Sequence, residues 1–396
     1  MRQFRNGTSG RTAGRRGGGD GCGTMTGRDP TPPTAPARIA FFLPHLRHGG
    51  VERVCTTLIR GLRRALFDPM VILQRREGEF LDLLDGVDVL ALRNRRAPLC
   101  VAELALLLKR HRVRLVYSAT TATNIYACAA ASLTGTRAIV SEHTPLAGNL
   151  AEAKWRGLRL AAIRAAYPRA SLAAAPLPRI GEELHELLGD RCPPFLCLPN
   201  PVVDAVLPPR PTAPRATRLI SVGRLAEVKR FDLMIEAFAV LHRAAPDTTL
   251  EILGEGPERP RLAALIGSLG LGGAVSLPGF AADVPGRMRG ADLFLCTSRR
   301  EGFGNAIVEA MAAGVPVVSV DCPVGPEVLL RGGTAGRLVR THTPEAFGAA
   351  LVEVSGDPDL RRAHALAGHE VAGDFTVGTA VAAHDRAFAK VLGLSA

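Results

Sequence analysis

Residues 299–320 read RREGFGNAIVEAMAAGVPVVSV. The stretch places the carboxylate of Glu301 in a glycine-rich loop, the carboxylate of Glu309 in a following helix, and a buried strand at Val315–Val320 behind both. Glycines before a helix let backbone N–H groups approach an anion, and carboxylates accept hydrogen bonds from hydroxyl groups. The stretch therefore predicts a polar site on an α/β scaffold, with a ligand that carries phosphate and sugar.

Strand-length apolar runs alternate with helix-length periodic segments from Arg38 onward, and this alternation predicts parallel sheets covered by helices. In the first half, strands are predicted at Ile39–Leu43, Met70–Leu73, Val87–Leu92, Leu115–Tyr117, Ala138–Ser141 and Leu172–Ala175, and helices at Val51–Leu66, Val101–His111 and Ala122–Leu133. In the second half, strands are predicted at Leu219–Val222, Leu250–Leu253, Val275–Leu277, Leu293–Cys296, Val315–Val320 and Arg337–Val339, and helices at Phe231–Leu241, Arg261–Leu269, Asn305–Ala313, Glu345–Val354 and Leu360–Ala372. The fold class is therefore α/β, with two doubly wound Rossmann-like domains that face each other across a cleft.

A proline-dense stretch at 193–214 separates the two halves and predicts a hinge. We expect a disordered basic tail, a first domain, a linker, a second domain and a C-terminal helix that packs back across the domains. Their predicted bounds are 1–37, 38–200, 201–215, 216–375 and 376–396, respectively.

The net charge of +12 predicts an acidic partner such as a nucleic acid, an anionic membrane surface or a phosphorylated substrate. Residues 1–37 contribute about a third of this charge through six arginines and two aspartates. A nucleic-acid partner is disfavoured, because aromatic residues make up only 5% of the chain and form no stacking platform. The eight cysteines include no C-x-x-C pair and several lie in apolar segments, which indicates reduced residues in the cytosol. Charged residues interrupt every apolar run before it could span a bilayer, so we expect a soluble or peripheral protein.

Two cations lie five residues apart in the segment SVGRLAEVKR, directly after the first strand of the second half. Arg224 and Lys229 could clamp a diphosphate there, since arginine forks onto phosphate oxygens and lysine acts as a point charge. Taken singly, each is more often a solvated surface charge.

Other strand ends carry small or polar residues that a ligand could contact. Gly49 and Gly50 precede a helix and could admit a phosphate or a sugar, or could simply form a tight turn. The turns at Gly254 and at Gly279–Phe280 could face a base or a ribose, or could only end their strands. His143 could hydrogen-bond a sugar hydroxyl or a phosphate, although a lone histidine is more often structural.

The segment Lys154–Arg169 mixes apolar residues with arginines. This pattern permits contact with a membrane surface. An ordinary packed helix with a charged face is the alternative.

Taken together, these motifs resemble those of the retaining glycosyltransferases of family 4, which have the GT-B fold. The resemblance extends from Arg38 to the end of the chain and is most specific over Leu219–Val339. It implies an acceptor-side first domain and a second domain that binds a nucleotide-sugar. It also implies catalytic roles for His143, Arg224, Lys229 and Glu301. Nucleotide-sugar binding is implied for Gly49, Gly50, Gly223, Arg224, Lys229, Gly254, Phe280, Gly302, Phe303, Gly304, Asn305 and Glu309.

In this family the first glutamate lies near the donor sugar and the second contacts the ribose, which corresponds to Glu301 and Glu309. The resemblance implies transfer of a hexose or an N-acetylhexosamine, with UDP as the expected nucleotide, to a glycan or polyprenyl-linked acceptor in surface polysaccharide biosynthesis. It implies no cofactor and no metal, and a cytoplasmic location with peripheral contact at the inner membrane face. The family often has a small residue and proline where this chain has Arg299 and Arg300, so the sugar stays open. A GDP-mannose-dependent mannosyltransferase and a UDP-sugar 2-epimerase remain as alternatives.

Overall fold

The computed structural model describes residues 35–47, 49–94, 96–151, 155–322 and 324–394. Residues 1–34 of the predicted tail lie outside these ranges. The predicted end of the tail at residue 37 is one residue too late, because the first strand already begins at Ala37, whose side chain is buried against the first sheet.

Seven strands form the first sheet, namely β1 (Ala37–Leu43), β2 (Phe67–Leu73), β3 (Asp88–Ala91), β4 (Leu115–Ser118), β5 (Arg137–Ser141), β6 (Leu172–Ala175) and β7 (Phe195–Cys197). Their order is β3-β2-β1-β4-β5-β6-β7, and neighbouring strands run parallel. The inner strands are mostly buried and apolar because helices cover both faces of the sheet, whereas the edge strands β3 and β7 are more exposed. These helices are α1 (Gly50–Gly61), α2 (Ala97–Arg110), α3 (Thr121–Thr134), α4 (Leu146–Ala151), α5 (Arg156–Ala166) and α6 (Pro178–Leu188).

Six strands form the second sheet, namely β8 (Arg218–Val222), β9 (Thr249–Leu253), β10 (Val275–Gly279), β11 (Leu293–Cys296), β12 (Val317–Val320) and β13 (Arg337–Val339). Their order is β10-β9-β8-β11-β12-β13, again with parallel neighbours. The helices of this half are α7 (Phe231–Ala244), α8 (Arg259–Ser268), α9 (Val284–Gly290), α10 (Asn305–Ala312), α11 (Gly325–Leu329), α12 (Pro344–Gly356) and α13 (Pro358–Gly373). In each sheet the strand order reverses beside the first strand, between β1 and β4 and between β8 and β11, and doubly wound folds bind ligands outside the strand ends at such a point.

A last helix, α14 (Val377–Leu392), returns to the first domain. It packs against α1, and the ring of Phe388 lies 6.3 Å from that of Phe41 and 6.0 Å from that of Phe67. The guanidinium of Arg63 donates to the buried carboxylate of Asp385 at 3.0 Å. The helix therefore belongs to the core of the first domain although it follows the second domain in the chain.

The predicted fold class is confirmed, since two parallel sheets each carry helices on both faces. One difference concerns β7, which lies inside the proline-dense stretch predicted as a hinge. β7 is an edge strand with prolines only before and after it, and prolines are tolerated there. The helices α4, α6, α9 and α11 were also not predicted. α4, α9 and α11 have six, seven and five residues, too few for a helical period to show.

Candidate functional site

A cavity of about 460 Å³ lies between the facing edges of the two sheets. The first domain lines it through the start of α1 and the loop after β5, and the second domain lines it through the loops after β8 and β11 and the start of α10. The predicted site residues that line this cavity are Gly50, His143, Gly223, Arg224, Lys229, Glu301, Gly302, Phe303, Gly304, Asn305 and Glu309. Tertiary folding thus brings together motifs that are far apart in the chain.

The carboxylate of Glu301 is held by two neighbours. The ammonium of Lys229 lies 2.5 Å from Oε1 of Glu301, and the hydroxyl of Ser298 donates to the same oxygen at 2.6 Å. Burial lowers the pKa of the Lys229 ammonium, but the charge and hydrogen bond of Glu301, together with the nearby Cys296 and Cys322, raise the pKa overall. Lys229 therefore stays protonated and forms, with Glu301, a charged pair in the cavity wall.

The backbone around Lys229 is fixed as well. Lys229 ends a short 3-10 turn at Glu227–Lys229, and the hydroxyl of Thr297 donates to its carbonyl oxygen at 3.0 Å. Arg224, in contrast, is exposed at the cavity, and its side chain has no partner among the residues that the structure describes. One cation is thus paired in advance, and the other is available to an anionic ligand.

Glu309 lies in α10 and contacts the other domain. Its Oε1 accepts a hydrogen bond from Arg53 of α1 at 2.8 Å. Burial raises the pKa of the Glu309 carboxyl, and the charge of Arg53 acts against this rise without cancelling it. α10 begins after Gly304, whose φ of 101° lies in the region that favours glycine, so the loop can turn sharply into the helix.

Within the described residues, two buried polar atoms of the cavity wall lack a hydrogen-bond partner. They are Nδ1 of His143, from the first domain, and Oδ1 of Asn305, from the second. The other ring nitrogen of His143, Nε2, lies 3.0 Å from the hydroxyl of Ser141. Burial, with a smaller effect of the nearby His384, lowers the pKa of His143 to about 4, so the ring is neutral at physiological pH. Both residues line the cavity, so a polar ligand there would satisfy these atoms.

The loop that carries His143 is anchored by its buried neighbour Glu142. This carboxylate accepts hydrogen bonds from the hydroxyl of Thr121 at 2.9 Å, from the amide of Asn124 at 3.0 Å and from the hydroxyl of Tyr167. Burial raises the pKa of Glu142 despite these donors. The network fixes the backbone before the histidine and leaves its ring directed at the cavity.

The cleft is closed in this structure. Gly302 packs so tightly on the loop of the first domain that a Cβ at this position would come closer than 3.0 Å to the carbonyl oxygen of His143. A Cβ on Gly50 would lie 3.4 Å from the amide nitrogen of Asn305. Glycines at 50 and 302 therefore permit the approach of the two domains.

Three predicted residues lie outside the cavity wall. Gly49 caps α1 in an extended conformation, with φ of −161°. Other residues adopt this backbone conformation as well, so it does not require a glycine. Gly254, with φ of 137°, packs behind Gly223, where a side chain would collide with the Gly223 carbonyl. The side chain of Phe280 is 85% exposed because it follows the edge strand β10, two strands away from β8. The structure does not bring these three residues to the ligand cavity.

Several residues of the wall escaped the sequence analysis, among them Arg53, Thr144, Asn200, Ser221, Thr297 and Ser298. Ser298 precedes Glu301 by three residues, a local signal that could have been used. Asn200 was assigned only to the linker motif LPNPV. Nothing in the sequence around Arg53 indicates its partner, which lies 256 positions further along the chain.

A second, mostly apolar cavity of about 420 Å³ adjoins the first. Arg53, Val222 and Glu309 line both cavities. Its other walls come from the segment after β7 and from α9 and α10. Its lining residues are Val202, Val203, Asp204, Ala205, Leu207, Val284, Pro285, Met288, Ala312 and Ala313.

Within the described ranges, no three or more His, Cys, Asp or Glu side chains converge as a metal site. Cys55, Cys100, Cys128, Cys192, Cys197, Cys296 and Cys322 are free thiols. In the same ranges, no helix has the length and apolar character that a bilayer crossing requires.

Comparison with known families divides the chain at the hinge. Residues 48–205 match the family described as Glycosyltransferase Family 4, and residues 210–370 match the family described as Glycosyl transferases group 1. The lipopolysaccharide core biosynthesis glycosyltransferase LpsE of Rhizobium meliloti is 37% identical over 152 residues, which are 38% of this chain and 43% of that protein. The GtfA subunit of a UDP-N-acetylglucosamine–peptide N-acetylglucosaminyltransferase from Streptococcus gordonii is 30% identical over 179 residues, 44% of this chain and 35% of that protein. The matched stretches thus span less than half the length of these curated relatives.

Solved structures extend the likeness to the whole architecture. Alr3699/HepE of Anabaena, crystallised in complex with UDP, superposes with a TM-score of 0.76 over 90% of this chain and 99% of that chain. At 22% identity, this likeness shows the fold. With a family match on each side of the hinge and this shared architecture, the chain belongs to the GT-B glycosyltransferases of the family 4 type.

Proposed function

We propose that the protein is a retaining glycosyltransferase that moves a hexose or an N-acetylhexosamine from a UDP-sugar to a glycan or polyprenyl-linked acceptor in surface polysaccharide biosynthesis. The observation that carries the proposal is the closed cavity, which gathers Arg224, Lys229, Glu301, Glu309 and His143 from both domains. The names of the relatives support it, since LpsE is named for lipopolysaccharide core biosynthesis and GtfA for UDP-N-acetylglucosamine.

The two cavities suit the two ends of a nucleotide-sugar. The diphosphate would lie at Arg224 and Lys229, and the sugar beside Glu301 in the polar cavity. Glu309, at the boundary, would accept hydrogen bonds from the ribose hydroxyls. The base would then enter the apolar cavity, whose walls of Val, Met and Ala side chains favour a flat ring.

The unpaired atoms of the cavity wall suit the sugar. Neutral His143 presents Nδ1, and Asn305 presents Oδ1, to the same space. Sugar hydroxyls both donate and accept hydrogen bonds, so they could satisfy both atoms at once. A donor in this position would therefore bridge the two domains.

The chemical step needs stabilisation of the charge that develops on the departing diphosphate. Arg224 and Lys229 supply positive charge where it develops, and the departing phosphate oxygen takes the proton of the acceptor hydroxyl on the same face of the sugar. The new glycosidic bond forms as the bond to the diphosphate breaks, and the anomeric configuration is retained. We propose that these cations act without a divalent metal, so transfer should continue at an unchanged rate in excess EDTA. A rate that falls with EDTA and returns with Mg²⁺ would contradict this part.

The first experiment is calorimetric titration of the protein with UDP, GDP and ADP, in parallel with Arg224→Ala and, as a control, Arg243→Ala on the exposed end of α7. We expect selective binding of UDP that is weakened at least tenfold in Arg224→Ala and kept in the control. Preference for GDP would redirect the search to mannosyl transfer. No binding of any nucleotide would refute the proposal. In a separate assay, conversion of a UDP-sugar to another UDP-sugar without any acceptor would indicate an epimerase.

We further propose that the first domain contacts the inner face of the cell membrane through α5, where a lipid-linked acceptor would be found. The side chains of Trp155 and Leu158 are each 71% exposed at the start of α5, and Arg156 and Arg164 are exposed on the same helix. Apolar residues beside cations fit an anionic lipid surface. The preceding helix α4 lies at the cleft, since Gly148 is close to the side chain of Arg300.

Trp155 is the only tryptophan of the chain and therefore reports on this contact. Its fluorescence should shift to the blue on addition of vesicles that contain phosphatidylglycerol, and Leu158→Glu should weaken the binding. Leu133→Glu, at a leucine that is 70% exposed on α3, serves as the control. An unchanged spectrum at saturating lipid would exclude this surface.

A further inference from the structure

The contact between Arg53 and Glu309 joins the two domains at the boundary between the two cavities. Arg53 lies in the first turn of α1, where its backbone N–H donates to the carbonyl of Gly49 at 3.1 Å. Its side chain is 55% exposed, whereas that of Glu309 is 18% exposed. A half-exposed guanidinium of one domain thus holds a largely buried carboxylate of the other.

The geometry leaves Glu309 room for a ligand. Arg53 reaches Oε1 from its Nη1 at 2.8 Å, and a carboxylate can accept about four hydrogen bonds through its two oxygens. No other side chain of the described residues donates to Glu309. The arginine therefore occupies part of the carboxylate and orients the rest toward the space between the cavities.

We propose that Arg53 is a positioning residue that completes the ribose subsite from the opposite domain. This inference rests on the proposed function, in which Glu309 takes the ribose hydroxyls. Arg53 donates to one oxygen of the carboxylate and so holds the group in place, so that both ribose hydroxyls find an acceptor when the nucleotide enters. Because Arg53 reaches Glu309 only across a closed cleft, full recognition of the ribose requires closure, and nucleotide binding stabilises the closed form.

The removal of Arg53 should accordingly matter only to a nucleotide that has ribose hydroxyls. We would titrate UDP and 2′,3′-dideoxy-UDP into the wild type, Arg53→Met, Arg53→Lys and Glu309→Gln by calorimetry. Arg60→Met is the matched control, because Arg60 is an exposed arginine of the same helix, far from the cavity. Thermal unfolding of each variant checks that it is folded.

We expect Arg53→Met to weaken UDP about tenfold and to change 2′,3′-dideoxy-UDP less than about twofold. Arg53→Lys should restore part of the loss, since it keeps the charge. The double variant Arg53→Met/Glu309→Gln should bind UDP no more weakly than Glu309→Gln alone, because the two residues act through one contact.

Equal weakening of both nucleotides in Arg53→Met would overturn the inference, since Arg53 would then act on the diphosphate. Unchanged binding of both nucleotides to Arg53→Met would overturn the inference as well. These failures are distinct from failure of the proposed function. If the wild type binds UDP but Glu309→Gln weakens UDP and 2′,3′-dideoxy-UDP equally, the ribose assignment itself is wrong, and the role of Arg53 falls with it. Failure of the wild type to bind UDP would instead refute the proposed function.

Discussion

At the scale of single residues, the site depends on charges that already have partners. Lys229 and Glu301 form an ion pair at 2.5 Å, and Ser298 supports the same carboxylate oxygen. Under the proposed function, a bound diphosphate would share Lys229 with Glu301. The ammonium would attract the departing diphosphate more strongly, because negative charge grows on it as the bond to the sugar breaks.

Replacement of Lys229 by alanine should slow sugar transfer about 100-fold to 1,000-fold, because the departing diphosphate loses a fixed cation. The same change leaves the carboxylate of Glu301 without its ammonium. The measurement is the rate of UDP release from the donor, with Lys109→Ala, an exposed lysine of α2, as the control. Turnover of Lys229→Ala at the wild-type rate would refute this role.

Gly302 sets how closely the two domains approach. We expect Gly302→Ala to hold the cleft partly open, because its Cβ would collide with the His143 carbonyl and would lie 3.2 Å from Cα of Thr144. Transfer should fall about 100-fold through misplacement of the reacting groups, and small-angle scattering should report a larger radius of gyration. Gly267→Ala, where a Cβ meets nothing within 4 Å, is the control. A variant with full activity and unchanged scattering would show that closure tolerates the methyl group.

At the scale of elements, one buried arginine ties the end of a helix to the linker. Arg361 of α13 is 1% exposed. Its guanidinium donates to the carbonyl of Val354 at 2.8 Å and to those of Ser355 and Ala213. Carbonyl groups at the end of α12 lack helical hydrogen-bond donors. A cation there donates to them and interacts favourably with the negative end of the helix dipole. The linker is thereby fixed to the second domain before β8 begins.

Arg361→Met should therefore lower the free energy of unfolding by about 3 kcal/mol, because three buried carbonyl groups lose a charged donor. Denaturant unfolding gives the value directly. Arg362→Ala, at the exposed neighbouring position, should stay within about 0.5 kcal/mol of the wild type. A loss in Arg361→Met no larger than in this control would contradict the assignment.

At the scale of the whole molecule, the chain crosses between the domains twice, at adjacent places. The backbone N–H of Val202 donates to the carbonyl of Phe375 at 3.0 Å, and Val203 pairs with Thr376 in an isolated bridge. After the second crossing, α14 enters the core of the first domain with His384 buried beside Tyr117 and Phe388. The two connections between the domains therefore lie side by side, and α14 couples the end of the chain to the stability of the first domain.

Buried histidines should make the protein less stable in mild acid. Burial lowers the pKa of His384 to about 4, so the unfolded chain binds protons more readily than the folded one between pH 6.5 and 4, and stability falls as the pH falls through this window. His143 acts in the same direction, whereas the raised pKa of Glu142 acts in the opposite one. His143 and Glu142 both remain in His384→Leu, which removes only the smaller effect of His384 on the pKa of His143.

Between pH 7 and pH 4.5, the wild type should therefore lose about 2–3 kcal/mol more stability than His384→Leu. Denaturant unfolding at the two pH values measures this difference, and His342→Leu, at an exposed histidine, is the matched control. Parallel losses in the wild type and in His384→Leu would show that His384 does not titrate in this range.

The amino-acid sequence by itself determined the alternation of strands and helices, apart from β7 and the helices α4, α6, α9 and α11, and the loops that carry Arg224, Lys229 and Glu301. These features follow from backbone hydrogen bonding and from the burial of one face of each element, which act over a few neighbouring residues and leave a period in the sequence. Only the tertiary structure decided that Arg53 meets Glu309, that Lys229 pairs with Glu301, and that α14 completes the first domain. Those contacts join residues 72 to 256 positions apart or elements of different domains, and packing between whole elements, which leaves no local period, selects them.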